Sequence, residues 1–158
     1  MNQLNRREFV AAVACAACLC GIGGAANVLA DDTTPSTAPT TLDAGPKSDY
    51  AQDGITTTWM KMPYRIAMVR HEGKIYALTT VCTHRGGTLH EAPDGDSFVC
   101  PRHGATFDID GNVTGKPAKR PLTRYAISVD TNGHIIVDTT TSFTSDQWDD
   151  PASFVKVG

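Results

Sequence analysis

Two short segments of the chain carry side chains that ligate metals. Cys82 and His84 lie in the first segment, Cys100 and His103 lie in the second, and fifteen residues separate the two. A cluster of two irons and two sulfides can take two cysteines on one iron and two histidines on the other. Because each segment offers one residue of each type, each would contact both irons. The residue types therefore indicate an iron-sulfur centre held by two loops.

The distribution of the cysteines leaves two alternatives open. Three of the five lie in the first thirty residues, so Cys82 and Cys100 are the only thiols in the rest of the chain. A disulfide between them is one alternative in an exported protein, although it leaves the two histidines unexplained. Zinc is the other, since it also takes two cysteines and two histidines. Structural zinc knuckles usually pair cysteines two residues apart, so the spacing favours iron.

The sequence around these ligands resembles the Rieske iron-sulfur family. Residues 82–87 (CTHRGG) and 100–108 (CPRHGATFD) resemble its two cluster-binding boxes. Residues 111–122 are similar to the proline loop that covers the cluster in Rieske proteins of cytochrome bc complexes.

The resemblance implies a ligand set for one [2Fe-2S] cluster. Cys82 and Cys100 would bind the inner ferric iron, and His84 and His103 would bind the outer iron near the surface. The free ring nitrogen of each histidine would face solvent or a partner, and reduction should raise its proton affinity. This is how a quinol could serve as the electron donor.

The chain departs from the high-potential members of that family at four positions. Those members carry a disulfide between two further cysteines, where this chain has Gly87 and Arg102. They also carry a serine hydroxyl in place of Ala105 and a tyrosine hydroxyl in place of Phe107. Hydrogen bonds to the cluster sulfurs stabilise the added electron. We therefore expect a potential in the lower half of the Rieske span of about −150 to +300 mV.

The N-terminus predicts export. Arg6 and Arg7 are followed by Phe9 and a mildly apolar stretch, which is typical of a twin-arginine signal over residues 1–30. That pathway moves folded proteins, as a cluster assembled in the cytoplasm requires. We expect cleavage after Ala30. The alternative is an uncleaved membrane anchor, for which the apolar stretch is barely long enough, since a membrane-spanning helix needs roughly 20 residues. Either outcome places the domain in the periplasm, soluble or tethered to the membrane.

The remaining chain divides into three parts. Residues 31–54 are rich in threonine, proline and aspartate and are expected to form a flexible linker. Residues 55–140 read as short strands, and Asn132-Gly133 is a strong hairpin signal. We predict an all-β fold, a small antiparallel β sandwich or barrel of the Rieske type with a two-loop cluster-binding subdomain. Residues 141–158 form a C-terminal extension that either wraps back on the domain or docks a partner.

Other candidate residues are expected to be structural. His71 and His134 lie at predicted turns and should be solvated, and His90, between the two boxes, is a weak alternative ligand. Four large apolar residues should fill the sheet interior. They are Trp59, Met60, Met62 and Met68.

Three functions fit these observations. The first is an exported Rieske-type one-electron transfer protein, a subunit of a quinol-oxidising cytochrome bc-type complex with cytochrome b or c as redox partners. The second is a ferredoxin-like carrier or small subunit of another periplasmic oxidoreductase, and the third is a zinc-stabilised binding module without redox activity. A stand-alone enzyme is not expected, because the chain lacks a second catalytic domain like that of the Rieske oxygenases. The net charge of −3 gives no reason to expect nucleic-acid binding.

Overall fold

The computed structural model describes residues 39–157. The predicted export signal and the first part of the predicted linker lie outside the described residues. Within those that are described, no helix is both long enough and apolar enough to cross a membrane.

Eleven strands and three short 3₁₀ helices make up the described residues. The strands are β1 (Thr41–Pro46), β2 (Gly54–Thr56), β3 (Ile66–His71), β4 (Lys74–Thr79), β5 (His90–Glu91), β6 (Ser97–Val99), β7 (Thr106–Asp108), β8 (Val113–Gly115), β9 (Arg124–Val129), β10 (His134–Phe143) and β11 (Val155–Lys156). The 3₁₀ helices are Lys47–Tyr50, Ser145–Gln147 and Pro151–Ser153.

The strands form two antiparallel sheets, as the predicted all-β fold class requires. Seven belong to the larger sheet, in the order β1-β10-β9-β4-β3-β2, and β11 pairs with β4. Four belong to the smaller sheet, in the order β5-β6-β7-β8. Three strands of the smaller sheet, β5, β6 and β7, flank the two segments that carry the candidate ligands.

The central hairpin of β3 and β4 is buried on both faces. One face packs Val69, Tyr76 and Leu78 into a core that includes Cys82 and Cys100. The opposite face belongs to a second core formed mainly with β1, β9 and β10. A strand buried on both faces reads as a continuous apolar run, which explains why β3 lacks the alternation of a half-exposed strand. The hairpin therefore connects the core of the larger sheet to the candidate site.

The expectation of a flexible linker is wrong for residues 41–50. β1 pairs with β10, where Leu42 lies opposite Val137. Leu42 and Ala44 are buried, and the Tyr50 hydroxyl donates a 2.7 Å hydrogen bond to the Ala44 carbonyl. Two alternating apolar side chains suffice here, because the edge of β10 supplies the backbone partners. The surrounding threonine, aspartate and proline obscured this short alternation.

The C-terminal extension packs on the domain. β10 continues to Phe143, and β11 pairs with β4 beyond the point where β9 leaves it. The Ser153 side chain is buried and donates a 2.7 Å hydrogen bond to the Trp148 carbonyl. Of the two possibilities that the sequence left open for this segment, the structure shows the first.

Four large apolar residues were predicted to fill the sheet interior, and the prediction is wrong for Met62. Met60 and Met68 are buried, and Trp59 packs partly buried against the second core. Met62 is 75% exposed. The chain turns after Thr57, whose carbonyl accepts a hydrogen bond from the Met60 amide, so that Met60 points inward and Met62 outward.

His134 is not simply solvated but pairs with β1. Its Nδ1 lies 3.0 Å from a carboxylate oxygen of Asp43. This hydrogen bond raises the pKa of His134 above its ordinary value of 6.5. The Gly45 amide and then His134 lower the pKa of Asp43 below 3.8. The charged His134 stabilises the fold fully below pH 6.5, and this stabilisation is lost as the pH rises through the raised pKa of His134. The charged Asp43 stabilises the fold above pH 3.8, and this stabilisation is lost as the pH falls through the lowered pKa of Asp43.

We therefore expect His134→Gln to destabilise the protein more at a pH of about 5.5 than at about 8.5. Urea unfolding followed by far-ultraviolet circular dichroism at both pH values measures this difference. An equal loss at both values would show that the ion pair does not form.

Candidate functional site

The two ligand loops have the same backbone hydrogen bonds. The first loop (residues 80–89) connects β4 to β5, and the second loop (residues 100–105) connects β6 to β7. Gly86 donates to the Cys82 carbonyl at 2.8 Å, and Gly104 donates to the Cys100 carbonyl at 2.9 Å. Each cysteine amide donates to the carbonyl five residues later, at 2.8 Å in both loops.

These repeated turns depend on glycine. Gly86 has a φ of 67° and Gly104 a φ of 73°, in the left-handed region that favours glycine. Because each glycine reverses the chain, the cysteine and the histidine of one loop lie on the same turn. The two loops thus present matched pairs of side chains.

The two sulfurs lie at the base of the site. Cys82 and Cys100 are free thiols, each only 2% exposed, so the disulfide alternative is not observed. Burial raises the pKa of the Cys82 thiol, and the neighbouring Cys100 thiol raises it further. Two thiolates at this position therefore need a compensating positive charge, as two ferric ions would supply.

The two imidazoles lie closer to the surface. The ring centroids of His84 and His103 are 5.0 Å apart, and the rings are inclined by 82°. His84 is half-buried and His103 is exposed. Desolvation lowers the pKa of His84, and the nearby charges of His103 and then Arg85 lower it further. A neutral imidazole is the form that ligates a metal, so this environment suits a ligand.

A close approach of the two loops explains Gly87, whose role sequence reasoning missed. A Cβ atom there would lie 3.0 Å from the Cys100 sulfur and 3.0 Å from Cδ of Arg102. Contacts this short would require the Cys100 sulfur or the Arg102 side chain to shift by a few tenths of an ångström. The sequence signal was available in the paired glycines after His84, but it was read only as the loss of a disulfide cysteine.

A third loop (residues 116–123) packs against the first. The Thr83 hydroxyl donates a 2.6 Å hydrogen bond to the Arg120 carbonyl, and Ala118 is buried in the core that holds both cysteines. A recess of about 380 Å³ separates this loop from His84. Its lining residues are Thr83, His84, Pro117, Lys119 and Arg120. The proline loop implied by the resemblance therefore lies beside one of the candidate histidines.

The other histidines are placed elsewhere. His90 lies exposed on β5 opposite Val99, and Nδ1 of His71 lies 3.4 Å from Asp110. A zinc site needs about four such side chains around one ion. Among residues 39–157, no group of three or more Cys, His, Asp and Glu side chains is found that could surround a single metal ion; a [2Fe-2S] cluster needs only two protein ligands on each of its irons.

A buried arginine supports the base of the loops. The Arg124 guanidinium lies 3.7 Å from the Tyr76 ring centroid and 4.3 Å from that of Trp148. It also contacts a carboxylate oxygen of Asp110 at 3.3 Å, and the Tyr76 hydroxyl donates to the same oxygen at 2.5 Å. Asp110 lies in the turn between β7 and β8. The arginine thereby joins the C-terminal extension to the smaller sheet.

Comparison with known proteins agrees with this geometry. Residues 40–126 match the Rieske [2Fe-2S] domain, a span that starts at β1 rather than at residue 55. The chain is 31% identical over 96 residues to the cytochrome b6-f complex iron-sulfur subunit of Chlorobaculum tepidum, covering 61% of this chain and 52% of that protein. It is 38% identical over 72 residues to the cytochrome bc1 complex Rieske iron-sulfur subunit of Corynebacterium efficiens, covering 43% and 17%.

Two solved structures are also similar. The cyanobacterial plasma membrane Rieske protein of Synechocystis is 31% identical with a TM-score of 0.47, over 61% of this chain and 97% of that one. A chain from the complex of reduced oxygenase and oxidised ferredoxin in carbazole 1,9a-dioxygenase is 25% identical with a TM-score of 0.49, over 66% and 97%. The chain spans about half the length of the first curated relatives that it matches.

The domain match covers more than half of the chain and includes both ligand loops. Rieske domains carry a [2Fe-2S] cluster and transfer single electrons. This assignment decides against the zinc-stabilised module that the ligand types had left open. The chain therefore belongs to the Rieske [2Fe-2S] family and is an electron-transfer protein, related to the iron-sulfur subunits of cytochrome b6-f complexes, with a [2Fe-2S] cluster as its cofactor.

Proposed function

We propose that this protein is the Rieske subunit of an exported, quinol-oxidising cytochrome bc-type complex. Cys82 and Cys100 would bind the inner iron of the cluster, and His84 and His103 would bind the outer iron. The observation that carries this proposal is the gradient of burial: both sulfurs are 2% exposed, whereas the imidazoles lie at the surface with ring centroids 5.0 Å apart. An electron exchanged with a partner would pass through the imidazole end.

The two histidines would also take part in proton transfer. Each would bind iron through one ring nitrogen, and the other nitrogen would accept a hydrogen bond from the quinol hydroxyl. The bound cluster supplies the one-electron acceptor. His84 or His103 would accept the proton of the quinol hydroxyl at its free ring nitrogen, while one electron of the quinol would go to the cluster.

The names of the curated relatives support assembly into such a complex. Several are iron-sulfur subunits of cytochrome b6-f complexes, and one is a subunit of a cytochrome bc1 complex. The pair Arg6-Arg7 supports export of the folded domain.

Isolation of the tagged protein from native membranes tests this function. We expect cytochrome b and c subunits to co-purify, and quinol to reduce the cluster in the isolated complex. The mass of the isolated chain shows whether residues 1–30 are removed or retained as an anchor. Purification without cytochromes, and no reduction by quinol, would contradict the proposal.

A second candidate is a ferredoxin-like carrier or small subunit of another periplasmic oxidoreductase. It is favoured by four positions around the sulfurs: Gly87 and Arg102 replace the disulfide of the high-potential members, and Ala105 and Phe107 replace two hydroxyl donors. Ala105 and Phe107 are fully buried in the core that holds both cysteines. Co-purification of a molybdenum enzyme in place of the cytochromes would favour this candidate.

We expect a midpoint potential in the lower half of the range from about −150 to +300 mV. Phe107→Tyr should raise it by tens of millivolts, because a hydroxyl near a cysteine sulfur stabilises the reduced state. Phe98→Tyr is the matched control, since Phe98 lies opposite Phe107 on β6 and is equally buried. Redox titration followed by electron paramagnetic resonance measures all three proteins. A wild-type value near the upper limit would contradict the expectation.

A further inference from the structure

The end of the domain that carries the imidazoles is positively charged, although the whole chain has a net charge of −3. We define the tip as residues 80–90, 100–107 and 113–123. These residues include no Asp or Glu, and the carboxylates that directly border them in the chain are those of Glu91 and Asp108. Five cations lie in the tip, and all are exposed. They are Arg85, Arg102, Lys116, Lys119 and Arg120.

Contacts place four of these cations around the histidines. Arg85 is adjacent to His84 in the chain, and the side chain of Arg102 lies against Gly87 of the first loop. Lys119 and Arg120 line the recess beside His84. The third loop is held there by the hydrogen bond between Thr83 and the Arg120 carbonyl. A partner that approaches the imidazoles must therefore meet these side chains.

Pairing within the domain does not neutralise the tip. The ion pairs among residues 39–157 use the acidic residues Asp43, Asp53 and Asp110, and none of them involves a cation of the tip. Five like charges on one surface repel each other, and an oppositely charged partner removes that repulsion. The charge pattern thus favours a complex with an acidic surface.

The apolar side chains near the cations distinguish a lipid surface from a protein surface as the partner of the tip. A membrane-binding surface combines cations with exposed apolar anchors. The large apolar residues exposed in the described part of the chain are Met62 and Val129, and neither belongs to the tip. The recess of about 380 Å³ between His84 and the cations of the third loop is large enough for a carboxylate side chain. These features fit a protein partner better than a lipid surface.

We propose that the tip docks an acidic face of a redox protein, with a carboxylate of the partner in the recess beside His84. This inference rests on the proposed ligands only in placing the cluster at the tip. It runs against the net charge of the chain, which favours a basic partner at long range. At an ionic strength of about 0.1 M, charges beyond about 10 Å are screened, so the five local cations dominate in the contact.

The test uses two forms of one electron acceptor. Cytochrome c is basic, and succinylation of its lysines makes it acidic while the haem stays the same. The reduced holo-protein is mixed with either oxidised form in a stopped-flow instrument; one electron leaves the cluster and reduces the haem iron. As ionic strength rises from about 0.1 to 0.5 M, a range in which the net charge of the chain is screened, we expect the rate with succinylated cytochrome c to fall severalfold and the rate with native cytochrome c to rise or stay constant.

Two variants with the same charge change locate the effect. Lys119→Glu alters the tip, whereas Lys156→Glu alters an exposed residue of β11 in the larger sheet. We expect Lys119→Glu to slow electron transfer to succinylated cytochrome c at low salt about fivefold, and Lys156→Glu to change it less than about twofold. The electron paramagnetic resonance spectrum of each reduced variant, recorded before mixing, should equal that of the wild type.

Two outcomes would overturn the proposal. One is a rate with native cytochrome c that falls with salt while the succinylated rate rises, since the net charge would then govern docking. The other has two parts: the protein binds vesicles of phosphatidylglycerol and phosphatidylcholine and Lys119→Glu abolishes this binding, while the rate of electron transfer to succinylated cytochrome c does not depend on salt. This result would show that the tip binds a membrane surface. A missing cluster signal is a separate result and contradicts the proposed ligands instead.

Discussion

His84→Gln is expected to remove most of the iron and the Rieske signal from the purified protein. The amide is a poor iron ligand, and the outer iron would lose one of its two imidazoles at a surface where water can enter. Iron content, visible absorbance and the electron paramagnetic resonance spectrum after mild reduction measure the effect. His103→Gln should have the same result, because the two rings lie 5.0 Å apart in equivalent turns.

His90→Gln is the matched control for this experiment. His90 lies between the two boxes in sequence, but the structure places it exposed on β5, opposite Val99. The variant should keep full iron content and an unchanged spectrum. Retention of the cluster in His84→Gln together with its loss in His90→Gln would exchange the roles of these residues and refute the proposed ligand set.

Arg124→Met is expected to lower the free energy of unfolding by about 3 kcal/mol. The Arg124 side chain is only 5% exposed and lies between two aromatic rings, with Asp110 as its ionic partner. Methionine keeps the stem but leaves Asp110 without the cation and removes both contacts with Tyr76 and Trp148. Urea unfolding of the holo-protein, followed by far-ultraviolet circular dichroism and cluster absorbance, gives the change.

Arg70→Met provides a comparison at a more exposed ion pair. Arg70 contacts Asp53 at 3.3 Å and donates a 2.9 Å hydrogen bond to the Tyr50 carbonyl, but Asp53 is 55% exposed, and water screens such a pair. We expect a loss of about 1 kcal/mol or less. Equal losses in the two variants would show that the aromatic rings around Arg124 add nothing to its role.

Local patterns were sufficient to predict the Rieske family, the candidate ligand loops and one hairpin. The two boxes combine ligands with glycines that the turns require, so both chemistry and backbone conformation are readable in a few residues. Asn132-Gly133 does lie in the turn between β9 and β10. Ser97–Val99 is one of the short strands expected within residues 55–140.

Features that depend on distant parts of the chain were not predictable. β1 contains too few apolar residues to predict a strand, and it forms because β10, about ninety residues later, offers a free edge. Arg124 looks like an ordinary charged residue of a strand until Tyr76, Asp110 and Trp148 are brought around it. The contact between Gly87 and the Cys100 sulfur also joins two loops. Such relations belong to the tertiary structure.

The outermost position of β1 in the larger sheet has a consequence for handling the protein. β10 is ten residues long, and β1 covers its outer edge with a short strand whose register is broken between Asp43 and Pro46. Short, irregular edge strands protect a sheet against pairing with other chains. A shortened version that begins at residue 55 would leave β10 open as a template, and its expected fate is self-association into aggregates.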